Sequence, residues 1–305
     1  MSSCCAVIVT YHPDEAVLKR LVHIVRSSVE QVLIVDNGGD LPPDLDTEII
    51  ANRNNAGLSS ALNQGIAWAD RHGFSEVLLF DQDSNPAPDM VSELRKALAL
   101  LQASGEKTAG LGPVYTDARN GVVFPFVSWH LPSNIELLGD PGQIVAADFL
   151  ITSGTLIPMS ALRDIGPMDD GLFIDNIDTD WCARAVRKGY RVHGVINATM
   201  LHSIGNSVFT LRLPFGYCKR LNVHSSVRLY YIMRNRLLMY RRKHISWAWI
   251  VHDVYSALVH LTFLVFLIPG RAANLRAALH GLADGIMGRS GPIRQRIRSE
   301  HRTGR

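Results

Sequence analysis

The sequence predicts an α/β fold: a mostly parallel sheet flanked by helices, followed by a C-terminal helical region. Three observations carry this. Short β-branched apolar runs alternate with stretches of helical period at the spacing of βαβ units. Polar clusters follow directly on the apolar runs, at the carboxyl ends of strands, where open α/β sheets bind ligands. The charge balance also breaks along the chain. Through residue 211 there are 14 Lys and Arg against 25 Asp and Glu, a balance of −11; from Arg212 on there are 17 against 3, a balance of +14. Two regions with different partners are expected, 1–211 and 212–305.

The elements follow in order. Cys5–Thr10 is a buried strand, and Asp14–Ser28 carries Val17, Leu18, Leu21, Val22 and Val25 at helical spacing. Gln31–Val35 is a second strand, ended by the turn signal Asp36-Asn37-Gly38-Gly39. Thr47–Ala51 reads as a strand, Leu58–His72 as a helix, and Glu76–Phe80 as a strand running into Asp81-Gln82-Asp83. Met90–Ala103 is helical, Leu111–Val114 returns to the sheet, and Ile144–Pro158 is β-rich with a break at Ser153-Gly154. An acidic loop after Gly171 leads into a helix ending at Gly189, followed by a strand over Arg191–Ile196. From about Leu221 the pattern changes to long helices rich in Arg and aromatics.

Composition excludes several classes. With 47% hydrophobic and 19% charged residues over 305 positions, the chain is neither disordered nor a coil-only rod. Four cysteines, two of them adjacent, make no disulfide scaffold at this length, and Cys182 and Cys218 are too far apart for a zinc knuckle. No basic start precedes a long apolar core, so a secretory signal is not expected and a reducing, cytoplasmic setting is.

Four groups of residues have the types that chemistry needs. Asp81 and Asp83, with period-two spacing past a buried strand, share a side on which they can meet a divalent cation completed by phosphate oxygens. The alternative is a solvated turn capping the next helix. Asp36 offers a carboxylate that accepts hydrogen bonds from a nucleobase or ribose; the alternative is an Asx-turn holding Gly38 and Gly39. The stretch Asn52–Gly57 is either a phosphate- or base-facing loop at a helix N-terminus or an N-cap and turn. Asp175, Asp178 and Asp180 supply a carboxylate near a helix start, held ionised by the dipole as a base requires, and Trp181 beside them either stacks on a sugar or belongs to the core. His202, and further on Arg228 and Arg234–Arg236, are candidates for metal or phosphate contacts, or plain structural residues.

Taken in sequence order, AVIVTYHP, VLIVDNG, the Asn-Asn-Ala-Gly-Leu stretch, LLFDQDS, ITSGTLIP, FIDNIDTDWCARA, LHSIGN and RLYYIMRN resemble the family-2 inverting glycosyltransferases of the GT-A fold, most closely bacterial rhamnosyltransferases. The resemblance covers roughly residues 5–240. It implies a nucleotide-diphospho-sugar transferase fold in which Thr10, Tyr11 and Asp36 line the nucleotide pocket, Asp36 reading a pyrimidine base. Asn55 and Gly57 flank that pocket, with Asp81 and Arg234 on the nucleotide-sugar. It further implies Asp83 as direct ligand of Mg2+ or Mn2+, His202 near metal and diphosphate, Gly154 and Trp181 on the acceptor side, and Asp178 as base. The residue before Asp178 is Ile177 where the family has Glu, so Asp175 and Asp180 stay as alternates.

Ile245–Ile268 contains one formal charge, Asp253, and follows Arg241-Arg242-Lys243. Its length suffices to span a bilayer, but Asp253, His244, His252 and His260 are costly in lipid, while Trp247 and Trp249 beside basic residues suit an interface. An interfacial helix ranks first, a packing or homodimer helix second and a span third. Apolar content of this kind does not suit a nucleic-acid arm.

The expectation is therefore an enzyme that moves L-rhamnose from a dTDP donor, a UDP-sugar being second choice. The acceptor would be a hydroxyl of a lipid-linked or cell-surface glycan such as lipopolysaccharide O-antigen. The setting would be cytoplasmic, peripheral at the anionic inner face of the cell membrane. The rivals are a sugar nucleotidyltransferase, for which Tyr11-His12-Pro13 supplies no triphosphate loop, and a non-catalytic nucleotide- or glycan-binding module.

Overall fold

The computed structural model describes residues 3–118, 121–202, 207–212, 218–223, 225–266 and 271–293, with side chains for 3–118, 121–201, 225–259, 261 and 271–293. The chain divides into two compact units, Met1–Asp170 with Ile177–Ser203, and Gly171–Asn176 with Ile204–Arg305. The units thus part at 203/204, while the charge balance changes at 211/212.

The first unit runs β1 (Cys4–Thr10), α1 (Glu15–Arg26), β2 (Gln31–Asp36), β3 (Glu48–Ala51), α2 (Leu58–Arg71), β4 (Glu76–Asp81), β5 (Asn85–Pro86) and α3 (Met90–Ala103). It continues with β6 (Thr108–Asp117), β7 (Val123–Phe124), β8 (Phe126–Ser128), β9 (Ile135–Leu137), β10 (Ile144–Ala147), β11 (Thr155–Pro158), α4 (Met159–Ile165), α5 (Ile177–Arg187) and β12 (Arg191–His202). The main sheet has the order β10-β12-β6-β11-β4-β1-β2-β3.

Every residue of β1 is buried, as its unbroken apolar run requires of a strand covered on both faces. Helix α1 begins where the Asp14 carboxylate accepts the Val17 N–H at 3.0 Å, and its periodic Leu18, Leu21, Val22 and Val25 are buried. They join Ile8, Ile34, Leu78, Phe80, Leu111 and Leu156 in one core.

Strands β3, β2, β1 and β4 are mutually parallel. β11 enters between β4 and β6 antiparallel to both. Two reversals restore the direction, so β6, and β12 paired parallel to it, end at the same edge as β4. The predicted mostly parallel sheet flanked by helices, with helices following it, is the architecture found; β11 is its antiparallel insertion. The break read at Ser153-Gly154 is what turns the chain. Gly154 has φ +79, and its N–H donates to the Leu79 carbonyl at 2.7 Å.

The second unit holds β13 (Ser207–Arg212) paired antiparallel with β14 (Cys218–Val223), then α6 (Ser226–Tyr240), α7 (Trp247–Phe266) and α8 (Arg271–Ile286). The last two residues of the expected 245–268 helix lie outside the described residues. Helices α6 and α8 touch backbone to backbone, because Gly281 and Gly285 carry no Cβ there. One built on Gly281 would lie 2.4 Å from the Tyr230 carbonyl oxygen. No described helix is long and apolar enough to cross a membrane.

Candidate functional site

The carboxyl ends of β1, β2 and β4 are tied into one hydrogen-bonded rim. Thr10 and Asp36 are register partners, and the buried Thr10 hydroxyl donates to Asp36 Oδ1 at 2.7 Å. The same carboxylate accepts the N–H groups of Gly38 at 3.2 Å and Gly39 at 2.6 Å. The Asx-turn considered for Asp36 is therefore present, and the carboxylate is only 1% exposed as part of Asp36. The neighbouring Asn37 accepts from Asn52 Nδ2 at 2.9 Å and from Ala56 N–H at 3.3 Å, and donates to the Gly57 carbonyl at 3.2 Å. That holds the 52–57 loop against the end of β2. Within the loop Asn55 Oδ1 accepts the Gly57 N–H at 2.9 Å, and Gly57, at φ +90, leads into α2.

Gln82 braces the two strand ends that flank it. Its side-chain oxygen accepts the Tyr11 N–H at 2.6 Å and its amide donates to the Tyr11 carbonyl at 3.2 Å. Asp81 ends β4, and Gln82 and Asp83 form the turn that follows, closed by the Ser84 N–H donating to the Asp81 carbonyl at 3.2 Å. Asp83 is exposed, Asp81 half-buried, and the Tyr11 ring is exposed. Ser84 and Ser153 hydroxyls meet at 2.5 Å in a buried contact, and the Asp81 N–H points to Ser153 Oγ at 3.4 Å. The acidic turn is thus anchored on the segment before β11.

Asp178 stands in the first turn of α5, half-buried, its Oδ1 accepting the Thr179 N–H at 2.8 Å. Its charge is felt at Tyr115 near the end of β6. Burial first, and then the Asp178 carboxylate, push the Tyr115 phenol up to about 12. Since β4 and β6 end at one edge, Thr10, Asp36, Asp81, Asp83 and the Tyr115–Asp178 neighbourhood belong to the same rim of the sheet. His202 ends β12 opposite Asp117 at that edge by backbone register, and its side chain lies outside the described residues.

Other candidates are engaged by structural partners. Asp180 is fully buried and paired with Arg184 at 2.9 Å, and Arg184 also donates to the carbonyls of Ile165 and Pro167 at 3.2 and 2.6 Å. A carboxylate so enclosed has no face for an acceptor hydroxyl, which removes it as alternate base. Trp181 is buried, its indole N–H donating to the Gly166 carbonyl at 3.0 Å; it is core rather than an acceptor platform. Asp175 and Arg234 belong to the second unit. Asp175 holds Arg228 through contacts of 2.9 to 3.2 Å. Arg234 is fully buried and donates to the carbonyls of Gly171, Leu172 and Gly291 and to Asn235 Oδ1. The expected phosphate contact is therefore replaced by a clamp on backbone carbonyls. Gly154 lies against Pro113 and Met200, where a Cβ would come within 2.8 Å of the Pro113 ring.

Sequence reasoning placed Asn37 and Gln82 at strand ends and Ser153 at a break but gave them no bracing role, and it missed Tyr115; the bracing depends on which strands become neighbours. Among the described residues no three His, Cys, Asp or Glu side chains gather to hold a metal by themselves. Two carboxylates beyond a strand, one exposed, do fit a hard divalent ion that takes its other ligands from phosphate and water.

The chain is similar to known proteins in sequence and in fold. Residues 5–106 match the family model described as Glycosyl transferase family 2. Over 297 residues, 94% of this chain and 96% of its relative, the sequence is 28% identical to the dTDP-rhamnosyl transferase RfbF of Shigella flexneri. Among solved structures, S. aureus TarS 1-349 in complex with UDP-GlcNAc is similar at a TM-score of 0.57 and 13% identity, covering 97% of this chain and 83% of that one. GalNAc-T7 with UDP, GalNAc and Mn2+ is similar at a TM-score of 0.54 and 14% identity, covering 66% of this chain. The chain spans 44% of that protein's length. At such identities the two structures speak for the fold alone.

Proposed function

We propose that the chain is a family-2 glycosyltransferase of the GT-A fold and that it transfers L-rhamnose from dTDP-L-rhamnose, with inversion, to a hydroxyl of a lipid-linked glycan such as lipopolysaccharide O-antigen. Sugar transfer from a nucleoside-diphosphate donor to a glycan or lipid acceptor is the activity of the family. The finer reading is supported by one observation above the rest: the end-to-end similarity to the Shigella flexneri dTDP-rhamnosyl transferase. The setting proposed is the anionic cytoplasmic face of the cell membrane, where such an acceptor is carried.

In this reading the nucleotide occupies the rim between Tyr11, the Asp36 turn and the Asn55–Gly57 loop. Thr10 and the two glycine N–H groups fix the Asp36 carboxylate in place, so that its remaining accepting capacity can meet a base N–H. Asp81 and Asp83, with His202, would hold Mg2+ or Mn2+, which supplies neutralisation of the charge that builds on the departing diphosphate. Gln82 sets the direction of that turn by holding Tyr11. Asp178 takes the proton of the acceptor hydroxyl as the new bond to the anomeric carbon forms. Attack from the face opposite the leaving diphosphate inverts that carbon.

Thermal-shift titration with dTDP, UDP and GDP in the presence of Mn2+ tests the donor class. Stabilisation by dTDP above the other two is the expected result, and preference for GDP overturns the donor assignment. Release of dTDP only when donor and acceptor are both present separates a transferase from a binding module.

A further inference from the structure

Helix α7 has two sides of opposite character. Trp247, Tyr255 and Leu258 are 76%, 70% and 62% exposed, and Val251 and Val254 are exposed between them. At 3.6 residues per turn these five fall within an arc of about 100°. Asp253, the helix's one acid, lies on the far side. There Arg236 Nε reaches it at 3.1 Å and the Tyr240 hydroxyl donates to it at 2.6 Å, both from α6. The formal charge of α7 is thus turned inward and neutralised, leaving the outward stripe uncharged and, apart from the Tyr255 hydroxyl, apolar. Helix α8 repeats the pattern. Leu275, Leu279 and Ile286, with Ala272 and Ala283, are exposed within an arc of about 80°, while Ala277, Ala278, Gly281 and Gly285 are buried on its other side.

Single exposed apolar residues are ordinary, but contiguous stripes mark an interaction surface. The chemistry around these stripes selects the partner. Lys243, Arg271 and Arg276 are exposed near their ends, and the region from Arg212 on carries a balance of +14. A second copy would bring the same positive charge against it, which opposes pairing. A surface that is both apolar and anionic matches on both counts. Trp and Tyr rings are suited to the level of lipid headgroups.

We propose that the outward stripes of α7 and α8 seat this unit in the headgroup layer of an anionic bilayer, lying on the membrane without crossing it. The inference gives the proposed membrane-side transferase its contact surface; it rests on that reading only for where the acceptor is found.

Flotation of the full chain with phosphatidylcholine vesicles, with and without phosphatidylglycerol, tests it. Binding to the mixed vesicles and not to phosphatidylcholine alone is expected. The exposed pair Trp247→Ser and Leu258→Ser should weaken binding at least about tenfold, and each of Lys243→Gln, Arg271→Gln and Arg276→Gln about fivefold. Stabilisation by dTDP, read on the same samples, should be unchanged in all variants, showing that the first unit is intact. Absence of vesicle binding, or binding indifferent to both sets of variants, overturns the inference. So does conversion of a dimer to a monomer by the Trp247/Leu258 pair, which would assign the surface to a second copy. Vesicle failure with dTDP stabilisation retained refutes the membrane surface alone; the reverse result refutes the donor reading alone.

Discussion

Asp178 and Asp180 sit two positions apart at the start of α5 and answer to different physics. Two residues of helix rotate the side chain by about 200°, which puts Asp180 inward, where Arg184 neutralises it and the carbonyls of Ile165 and Pro167 fix Arg184 in turn. Asp178 keeps a partly open carboxylate beside Tyr115. Asp178→Asn preserves shape and removes only the ability to accept a proton. Turnover should fall by about 10²- to 10⁴-fold while the dTDP-induced thermal shift stays near that of the parent; retained turnover would place the base elsewhere. Asp180→Ala should act through stability instead. It leaves the Arg184 guanidinium without its counter-charge in a largely buried place, at a cost of roughly 2–3 kcal/mol. Urea unfolding should show a lowered midpoint with an unchanged slope.

Between elements, contact is decided by what is missing as much as by what is present. Helices α6 and α8 approach so closely that a methyl group at Gly281 meets backbone, which cannot rotate aside. Gly281→Val should therefore force the pair apart at a cost of about 1–3 kcal/mol or more, seen as early proteolysis of the C-terminal unit with dTDP binding kept. Sequence showed this scale unevenly. The β1, β2 and β4 runs, the helical period after Asp14 and the acidic turn after Phe80 were legible, because burial on two faces or along one helix face leaves local marks. The antiparallel entry of β11 was not, since a four-residue apolar strand reads the same in either direction. Nor was the fate of Arg234. An Arg-Asn pair on a helix looks the same whether it faces phosphate or clamps the carbonyls of Gly171 and Leu172, residues about sixty positions away that only tertiary packing brings near. The candidate site was legible as a set of strand ends, whereas the bracing by Gln82, Asn37 and Ser153 depends on which strands become neighbours.

At the scale of the whole molecule, the first unit carries its own reporter of opening. Cys4, Cys5 and Cys182 are buried there as free thiols. Burial raises all three, Cys5 and Cys182 to about 12, so at pH 8 each is a protonated thiol and a poor nucleophile. A thiol reagent should leave these three untouched in the native chain and label them once guanidinium unfolds it. Labelling of the native protein then proceeds only through transient opening, so a ligand that binds the closed form must slow it. With dTDP and Mn2+ at about a hundred times their dissociation constant, opening should become roughly a hundredfold rarer, equivalent to about 2.7 kcal/mol. A chelator should restore part of the rate if Asp81 and Asp83 engage the nucleotide through a cation, and none of it if the diphosphate is held without one. Unchanged labelling in saturating dTDP would mean that the nucleotide does not bind the first unit at all.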